Sequence, residues 1–153
     1  PGLIGAAADF ARSVELISDG HHVHPAAVRI AFKIFGDDRV CLISDAMMAC
    51  GMPDGDYELG GQKVKVTDGL ATLASGTIAG SATPLTESFR RAVVKFGIPV
   101  ESALRAATAN PARVLSMQDE IGSIAVGKRA DLTLFDAETL EVRHCVLGGK
   151  LLF

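Results

Sequence analysis

The chain has 153 residues, of which 48% are hydrophobic and 22% are charged, and its net charge is −3. This length suits one ordinary domain with a real core, and the composition excludes both a basic nucleic-acid surface and an apolar run of about 18 residues that could cross a bilayer. We therefore expect neither nucleic acid nor a membrane as a partner. The start has no basic leader or long apolar core, and the three cysteines lack the spacing of a metal or disulfide framework, so we expect a cytoplasmic protein with reduced thiols.

Two short apolar runs predict the first two strands. Residues 14–18 and 40–44 are rich in branched side chains, which is typical of strands buried on both faces of a parallel sheet. Between them, residues 25–35 carry apolar side chains at helical spacing, with Pro25 suited to the first turn and Gly36 to the C-terminal cap. Strand, helix and strand predict a βαβ unit with parallel strands, and their repeat is close to the roughly 30 residues per unit of an eight-stranded β/α barrel.

Both predicted strands end in an aspartate. The letters LISD occur at 16–19 and again at 42–45, which places Asp19 and Asp45 at the same rim of a parallel sheet. The C-terminal rim is where α/β proteins hold their functional groups. Each aspartate could instead cap a turn or the next helix, a role that aspartate fills well, and the residues alone leave both interpretations open.

Residues 51–76 have a different character. They are rich in Gly and Asp around short alternating stretches, which predicts a small antiparallel excursion with strands at 57–59, 62–66 and 70–73. A helix opened by Thr83 and Pro84 and closed by Gly97 follows, then a second helix over 100–109 and a short third one that Asn110 caps. Residues 131–135, 142–147 and 150–153 predict a second antiparallel sheet.

Two segments could carry chemistry. The turn at 19–24 holds three histidines in four positions, so metal ligation, substrate hydrogen bonding and capping all stay open, although no second cluster of ligands follows it. Residues 76–84 form a loop rich in Gly and hydroxyl groups whose backbone amides could hold a sugar hydroxyl or a phosphate, or which could simply connect two elements. The loop is not a P-loop, because no Lys follows its second Gly.

Four stretches, in this order, resemble the N-acetylglucosamine-6-phosphate deacetylase family of the amidohydrolase superfamily. They are the turn DGHHV at 19–23, the strand end SDA at 44–46, the loop GTIAGS at 76–81, and the tail that runs from ATANPAR at 107–113 through GSIAVGKRADL at 122–132. The tail is shared by many amidohydrolases, whereas the turn and the loop are typical of the deacetylases. The resemblance covers nearly the whole chain.

The resemblance implies a fold and a set of roles. The fold is the C-terminal portion of a (β/α)8 barrel over residues 1–121, with the β excursion at 51–76, followed by strands of a small β-sandwich over 122–153. Asp45 matches the aspartate that takes a proton from a metal-held water and passes it to the departing amine. The substrate-contacting set is matched by the turn and the loop, namely His22, Asp19, Gly20, His21, Ile78, Ala79, Gly80 and Ser81.

The departures from the family pattern limit what this chain can do alone. The metal ligands of the family have no counterpart here, so the divalent metal, zinc or iron, is expected in a longer enzyme of which this chain is about the last two fifths. The expected partners are a phosphorylated amino sugar and further copies of the chain. Two alternatives stay open: another amidohydrolase of dihydroorotase-like type, or a non-catalytic structural module.

Overall fold

The computed structural model describes residues 2–153, which fold as an α/β protein, as the sequence predicts. The strands within residues 2–153 form three small sheets, and the helices lie around the first of them. In chain order they are α1 (Gly2–Phe10), β1 (Val14–Ile17), α2 (Pro25–Phe35), β2 (Val40–Ile43), β3 (Gly55–Leu59), β4 (Gln62–Thr67), β5 (Leu70–Leu73), β6 (Ile78–Ser81), α3 (Leu85–Val94), α4 (Val100–Ala107), α5 (Ala109–Val114), β7 (Leu132–Phe135), β8 (Val142–Leu147) and β9 (Lys150–Leu151).

The predicted βαβ unit is confirmed. Strands β1 and β2 pair in parallel, in a register that runs from Val14 opposite Val40 to Ile17 opposite Ile43. Helix α2 begins at Pro25, and the N–H of Gly36 donates to the carbonyl of Phe32 where the helix ends. The core around this unit is apolar, and its fully or nearly buried members are Leu16, Val28, Phe32, Phe35, Val40, Leu42, Phe89, Ala92, Phe96, Ile98, Ala103 and Ala106.

Helix α1 has no signal in the sequence. Apart from Asp9 its segment is apolar, it has no clear amphipathic period, and none of its residues is buried. Leu3 and Phe10 are 87% and 85% exposed. The guanidinium of Arg39 donates to the carbonyl of Ala8 at 2.7 Å and so ties the end of this helix to the start of β2.

The predicted antiparallel excursion is confirmed and gains a fourth strand. The order is β3-β4-β5-β6, with a small core of its own that includes Val64, Val66 and Ala71. Residues 76–84 were expected to be a loop, but Ile78–Ser81 pair with β5. The backbone of β5 offers hydrogen bonds along its free edge, and these override the weak strand propensity of a glycine-rich segment.

The helix boundaries after residue 100 differ from the prediction. Helix α4 ends at Ala107, Thr108 precedes α5, and Asn110 lies inside α5 and does not cap it. The Asn110 side chain is buried, and its Nδ2 donates to the carbonyls of Asp37 at 2.7 Å and Val40 at 2.8 Å. The prediction that Asn110 caps the helix is therefore wrong. Its side chain instead joins α5 to the start of β2.

The C-terminal sheet is antiparallel in the order β7-β8-β9, as predicted. Strand β9 ends at Leu151, short of the predicted end at residue 153. All three cysteines are free, Cys41 buried and both Cys50 and Cys145 half-buried. No helix among residues 2–153 is long and apolar enough to cross a membrane.

Candidate active site

Asp19 and Asp45 lie at the same end of the parallel pair. Each is two positions beyond the last paired residues, Ile17 and Ile43, so the two aspartates follow neighbouring strands in matching register. Neighbouring strands lie about 4.8 Å apart in a sheet. The prediction that Asp45 follows a parallel strand beside the strand that ends at Asp19 is confirmed.

The Asp19 carboxylate is the centre of the histidine turn. Oδ1 accepts hydrogen bonds from the backbone N–H groups of His21 at 2.9 Å and His22 at 3.0 Å. Oδ2 lies 2.7 Å from Nδ1 of His22. Burial, with only 1% of the residue exposed, raises the pKa of Asp19, but the hydrogen bonds from His22 and His21 outweigh it and hold the pKa below its ordinary value. Asp19 therefore stays ionised while it closes the turn.

Arg91 on helix α3 holds the turn from the other side. Its Nη1 donates to the Asp19 carbonyl at 2.5 Å and lies 3.5 Å from Nε2 of His21. Its Nε donates to Glu87 at 2.9 Å. Arg91 was not predicted as a residue of the site: its spacing from Glu87 indicates a helical ion pair, but nothing local predicts a contact with a turn 72 residues away.

Asp45 has the opposite surroundings to Asp19. Its side chain is exposed, and no hydrogen bond to it occurs among residues 2–153. Its backbone is left-handed, with φ of 47°, a conformation that aspartate tolerates better than most residues. Strand β6 fixes that backbone: the Ser81 N–H donates to the Asp45 carbonyl at 3.2 Å, and the Met47 N–H donates to the Ser81 carbonyl at 2.8 Å. The carboxylate is thus exposed to solvent while hydrogen bonds hold its backbone in place.

Strand β6 presents only part of its length to the surface. Ile78 is 38% exposed, and Ala79 and Gly80 are half-buried. Ser81 is fully buried, and its hydroxyl accepts a hydrogen bond from the Thr83 N–H at 3.1 Å. The surface of this strand available to a ligand is therefore at residues 78–80, and the Ser81 hydroxyl serves the fold.

Two concavities of the described chain lie away from this rim. One, of about 830 Å³, is lined by strands β3 to β5, and the other, of about 570 Å³, lies between helices α3 and α4 and the β7 segment. Neither contains Asp19, His22 or Asp45. The candidate site is therefore recognised by the chemistry of the side chains at the rim, and not by either of these two cavities.

The described residues do not fit a resident metal ion. Within residues 2–153, no group of three His, Cys, Asp or Glu side chains could hold one. The histidines of the turn serve different partners: Nδ1 of His22 faces Asp19, His21 lies beside Arg91, and Nδ1 of His24 accepts from the Ala26 N–H at 3.2 Å. The hydrogen-bonding interpretation of the turn fits this geometry better than metal ligation does.

Comparison with known proteins identifies the relatives of this chain. The model of the Amidohydrolase family matches residues 5–152. An N-acetylgalactosamine-6-phosphate deacetylase of Escherichia coli O157:H7 is 40% identical over 152 residues, 99% of this chain and 40% of its own length. An N-acetylglucosamine-6-phosphate deacetylase of Vibrio furnissii is 38% identical over 154 residues, 100% of this chain and 38% of its own length.

The chain belongs to the amidohydrolase family.

Its fold agrees with that of solved members. The N-acetyl-D-glucosamine-6-phosphate deacetylase of Mycobacterium smegmatis, solved in complex with N-acetyl-D-glucosamine-6-phosphate, superposes with a TM-score of 0.90 at 39% identity, over 99% of this amidohydrolase chain and 40% of that one. The chain thus spans about two fifths of the length of these three relatives. A relative in Escherichia coli strain K12 is shorter: 40% identity over 152 residues covers 90% of it.

Proposed function

We propose that this amidohydrolase chain carries the general base and part of the substrate site of an enzyme that hydrolyses the N-acetyl amide of an amino-sugar 6-phosphate. The reaction takes N-acetylglucosamine 6-phosphate and water to glucosamine 6-phosphate and acetate. The observation that carries the proposal is the shared rim, where the free carboxylate of Asp45 lies in register with the Asp19–His22 turn. Relatives named as deacetylases match over the whole chain and support it over a dihydroorotase-like activity or a purely structural role.

Asp45 is the proposed catalytic residue. Its carboxylate takes a proton from the attacking water, whose oxygen forms a bond to the amide carbonyl carbon. The carbon–nitrogen bond then breaks, and the same proton passes to the departing amine. An exposed, unpaired carboxylate on a held backbone suits this exchange, because it is a free acceptor in a fixed position.

The remaining residues of the rim are proposed to bind the sugar phosphate. His22 has a ring nitrogen available for a direct contact. His21, Gly20 and the accessible part of β6, residues 78–80, are proposed to contribute further contacts. Asp19 and Ser81 are both buried, with their side-chain oxygens engaged within the protein. We therefore assign these two a supporting place beneath the site.

The proposal includes the complete architecture. Residues 1–121, with the excursion at 51–76, form the last strands and helices of a (β/α)8 barrel, and residues 122–153 form strands of a small β-sandwich; Pro1 lies outside the described residues. A divalent metal, zinc or iron, serves the enzyme with ligands from outside residues 2–153. The enzyme is cytoplasmic and assembles as a homo-oligomer.

The identity of the sugar is a separate question. The relatives are named for two substrates, N-acetylglucosamine 6-phosphate and N-acetylgalactosamine 6-phosphate, which differ only in the orientation of one ring hydroxyl. A site that hydrogen-bonds this hydroxyl would distinguish the two strongly, because the wrong sugar leaves a buried polar group unpaired. The gluco-sugar is the proposed substrate, because the solved relative from Mycobacterium smegmatis, with a TM-score of 0.90, is in complex with N-acetyl-D-glucosamine-6-phosphate.

The test is acetate release by the complete protein in which this chain occurs, with the two sugar phosphates as substrates and unphosphorylated N-acetylglucosamine as the control. We expect turnover of a hexosamine 6-phosphate and little of the control, with a higher kcat/KM for the gluco-sugar. Replacement of His22 by Ala should raise KM for the sugar phosphate. Failure of the complete protein to hydrolyse either phosphate would reject the proposal.

A further inference from the structure

We infer that Asp19 is a positioning residue that fixes the tautomer and orientation of the His22 ring, so that Nε2 of His22 is the atom that meets the substrate. This inference rests on the proposed function for the identity of the substrate. The tautomer itself can be tested without it.

The geometry leaves Asp19 no capacity for a ligand. Its Oδ1 accepts from two backbone N–H groups, those of His21 and His22, and its Oδ2 lies 2.7 Å from Nδ1 of His22. The residue is 1% exposed, and its carbonyl is held by Arg91 at 2.5 Å. A side chain so enclosed acts on a ligand only through the residue that it holds.

The chemistry of the pair specifies which ring nitrogen carries the proton. An ionised carboxylate only accepts hydrogen bonds, so Nδ1 of His22 must be the donor in the 2.7 Å contact. The lowered pKa of Asp19 keeps the carboxylate ionised near neutral pH. In the neutral ring Nε2 then has a lone pair, and in the protonated ring Nε2 becomes a second donor. The same nitrogen can accept from a sugar hydroxyl or donate to a phosphate oxygen.

The position of Nε2 supports this assignment. It makes no hydrogen bond within the described residues, and it is not among the buried polar atoms that lack a partner, so it remains open to solvent. The His22 side chain as a whole is 18% exposed. The ring is thus enclosed on the Nδ1 side and open on the Nε2 side, as is typical of functional histidines that a carboxylate orients.

Asp19→Asn separates the two functions of the carboxylate. The Asn carbonyl oxygen still accepts from the two backbone N–H groups and preserves the turn. Its NH2 group replaces Oδ2 and can only donate, so Nδ1 of His22 must become the acceptor and the proton of the neutral ring moves to Nε2. Asp119→Asn is the matched control, because Asp119 is exposed and has no side-chain hydrogen bond among residues 2–153.

The deciding experiment is ¹⁵N NMR of the histidine rings in the purified chain at about pH 9, well above the ordinary pKa of an imidazole. The His22 signals are assigned by their loss in His22→Gln. We expect the Nδ1–H tautomer in the original chain and in Asp119→Asn, and the Nε2–H tautomer in Asp19→Asn. An Nε2–H tautomer in the original chain would overturn the inference, and this outcome does not depend on whether the variant folds. The same tautomer in the original chain and in Asp19→Asn would also overturn it.

Kinetics of the complete protein add a second readout. Asp19→Asn should raise KM for the sugar phosphate by about tenfold, with much less change in kcat. Tenfold is the lower end of the loss seen when the carboxylate that orients a histidine is removed in metal sites, where such effects are known. A tautomer that switches as expected while KM stays unchanged would support the role of Asp19 and count against the substrate contact of His22. An equal loss of kcat in Asp19→Asn and in the control Asp119→Asn, with KM unchanged, would indicate a general structural effect and contradict the inference.

Discussion

At the scale of single residues, one four-letter motif serves two different purposes. Asp19 and Asp45 both close an LISD motif, yet Asp19 is buried with both oxygens hydrogen-bonded, and Asp45 is exposed with neither oxygen bonded among residues 2–153. The path of the chain beyond each strand makes the difference. After Asp19 the chain turns back over its carboxylate through Gly20, whose φ is 83°, whereas after Asp45 it pairs with β6 and leaves the side chain outside.

Asp45→Asn should lower turnover in the complete protein by at least about 10²-fold, the lower end of what a general acid–base group contributes. The amide keeps the shape of the side chain but cannot take a proton from water, so the affinity for the substrate should stay within about tenfold, as expected when an interaction is made only in the transition state. Steady-state kinetics and direct binding to the sugar phosphate check both parts. Asp119→Asn is the charge-matched control, and near-normal turnover of Asp45→Asn would reject its assignment as the base.

The lowered pKa of Asp19 predicts a pH dependence of stability. The pKa of its carboxylate is lower in the fold than its ordinary value of 3.8, so the stabilisation is fully present above 3.8 and is lost as the pH falls through the folded pKa. The Asp19→Asn variant lacks this group. We expect the difference in the free energy of unfolding between the two proteins to be largest well above pH 3.8 and to shrink as the pH falls below 3.8.

Urea unfolding of the chain and of Asp19→Asn at several pH values checks this prediction. The comparison between the two proteins is needed because Asp136, whose pKa is also lowered by hydrogen bonds from Thr139 and Arg143, contributes to the acid sensitivity of both. A difference in unfolding free energy that stays constant or grows as the pH falls would contradict the expected sign.

At the scale of elements, the residues after α5 pack against that helix through a glycine. Gly122 has φ of 85°, and a Cβ placed there would lie 2.6 Å from Cβ of Ala112 and 3.1 Å from the carbonyl oxygen of Thr108. Gly127, five residues later, has φ of 90° and nothing within 4 Å of the same position. The two glycines thus share a backbone conformation and differ in the space around them.

Gly122→Ala should therefore destabilise the chain more than Gly127→Ala does. Both variants place a Cβ on a left-handed residue, which costs about 1–2 kcal/mol. Only Gly122→Ala also forces backbone and side-chain atoms of α5 to move, as overpacking does, at a further cost of about 1–3 kcal/mol. Thermal or denaturant unfolding of the two variants measures the difference, and equal losses of stability would show that the contact with α5 is easily relieved.

At the scale of the whole molecule, the described chain leaves apolar surface uncovered. Strands β1 and β2 form a sheet of two, so each has one edge without a strand partner within residues 2–153. Helix α1 exposes Leu3, Ile4 and Phe10, at 87%, 65% and 85%. Unpaired edges and exposed apolar patches of this kind recruit other chains.

We expect the isolated chain to self-associate at micromolar concentration. Covering roughly 400 Å² of apolar surface would contribute on the order of 10 kcal/mol, which is comparable with the roughly 4–15 kcal/mol lost on association. Light scattering coupled to size-exclusion chromatography gives the mass, and Leu3→Glu with Ile4→Glu should shift the population towards monomer. A stable monomer of 16.0 kDa for the original chain would contradict the prediction.

Much of the fold could be predicted from local pattern. Branched apolar runs, helical spacing and turn residues identified β1, α2, β2 and both antiparallel sheets, because each pattern is set by the period of the backbone. Helix α1 and strand β6 were not predicted, because neither segment shows a clear local pattern. The helix is apolar except for Asp9 and has no clear period, and the strand is a glycine-rich segment whose pairing partner is supplied by β5.

Local sequence was sufficient to predict the parallel unit and the placement of two aspartates at one rim, since a helix between two buried strands is the usual connection of a parallel pair. The role of each aspartate, in contrast, depends on tertiary contacts. Whether a carboxylate is buried against His22 or left open depends on contacts with Arg91 and Ser81, residues that lie far from the turn or strand in the sequence and close to it only in the fold. Burial and long-range hydrogen bonds depend on which helices and strands pack together. The local spacing of apolar and polar residues does not determine that packing.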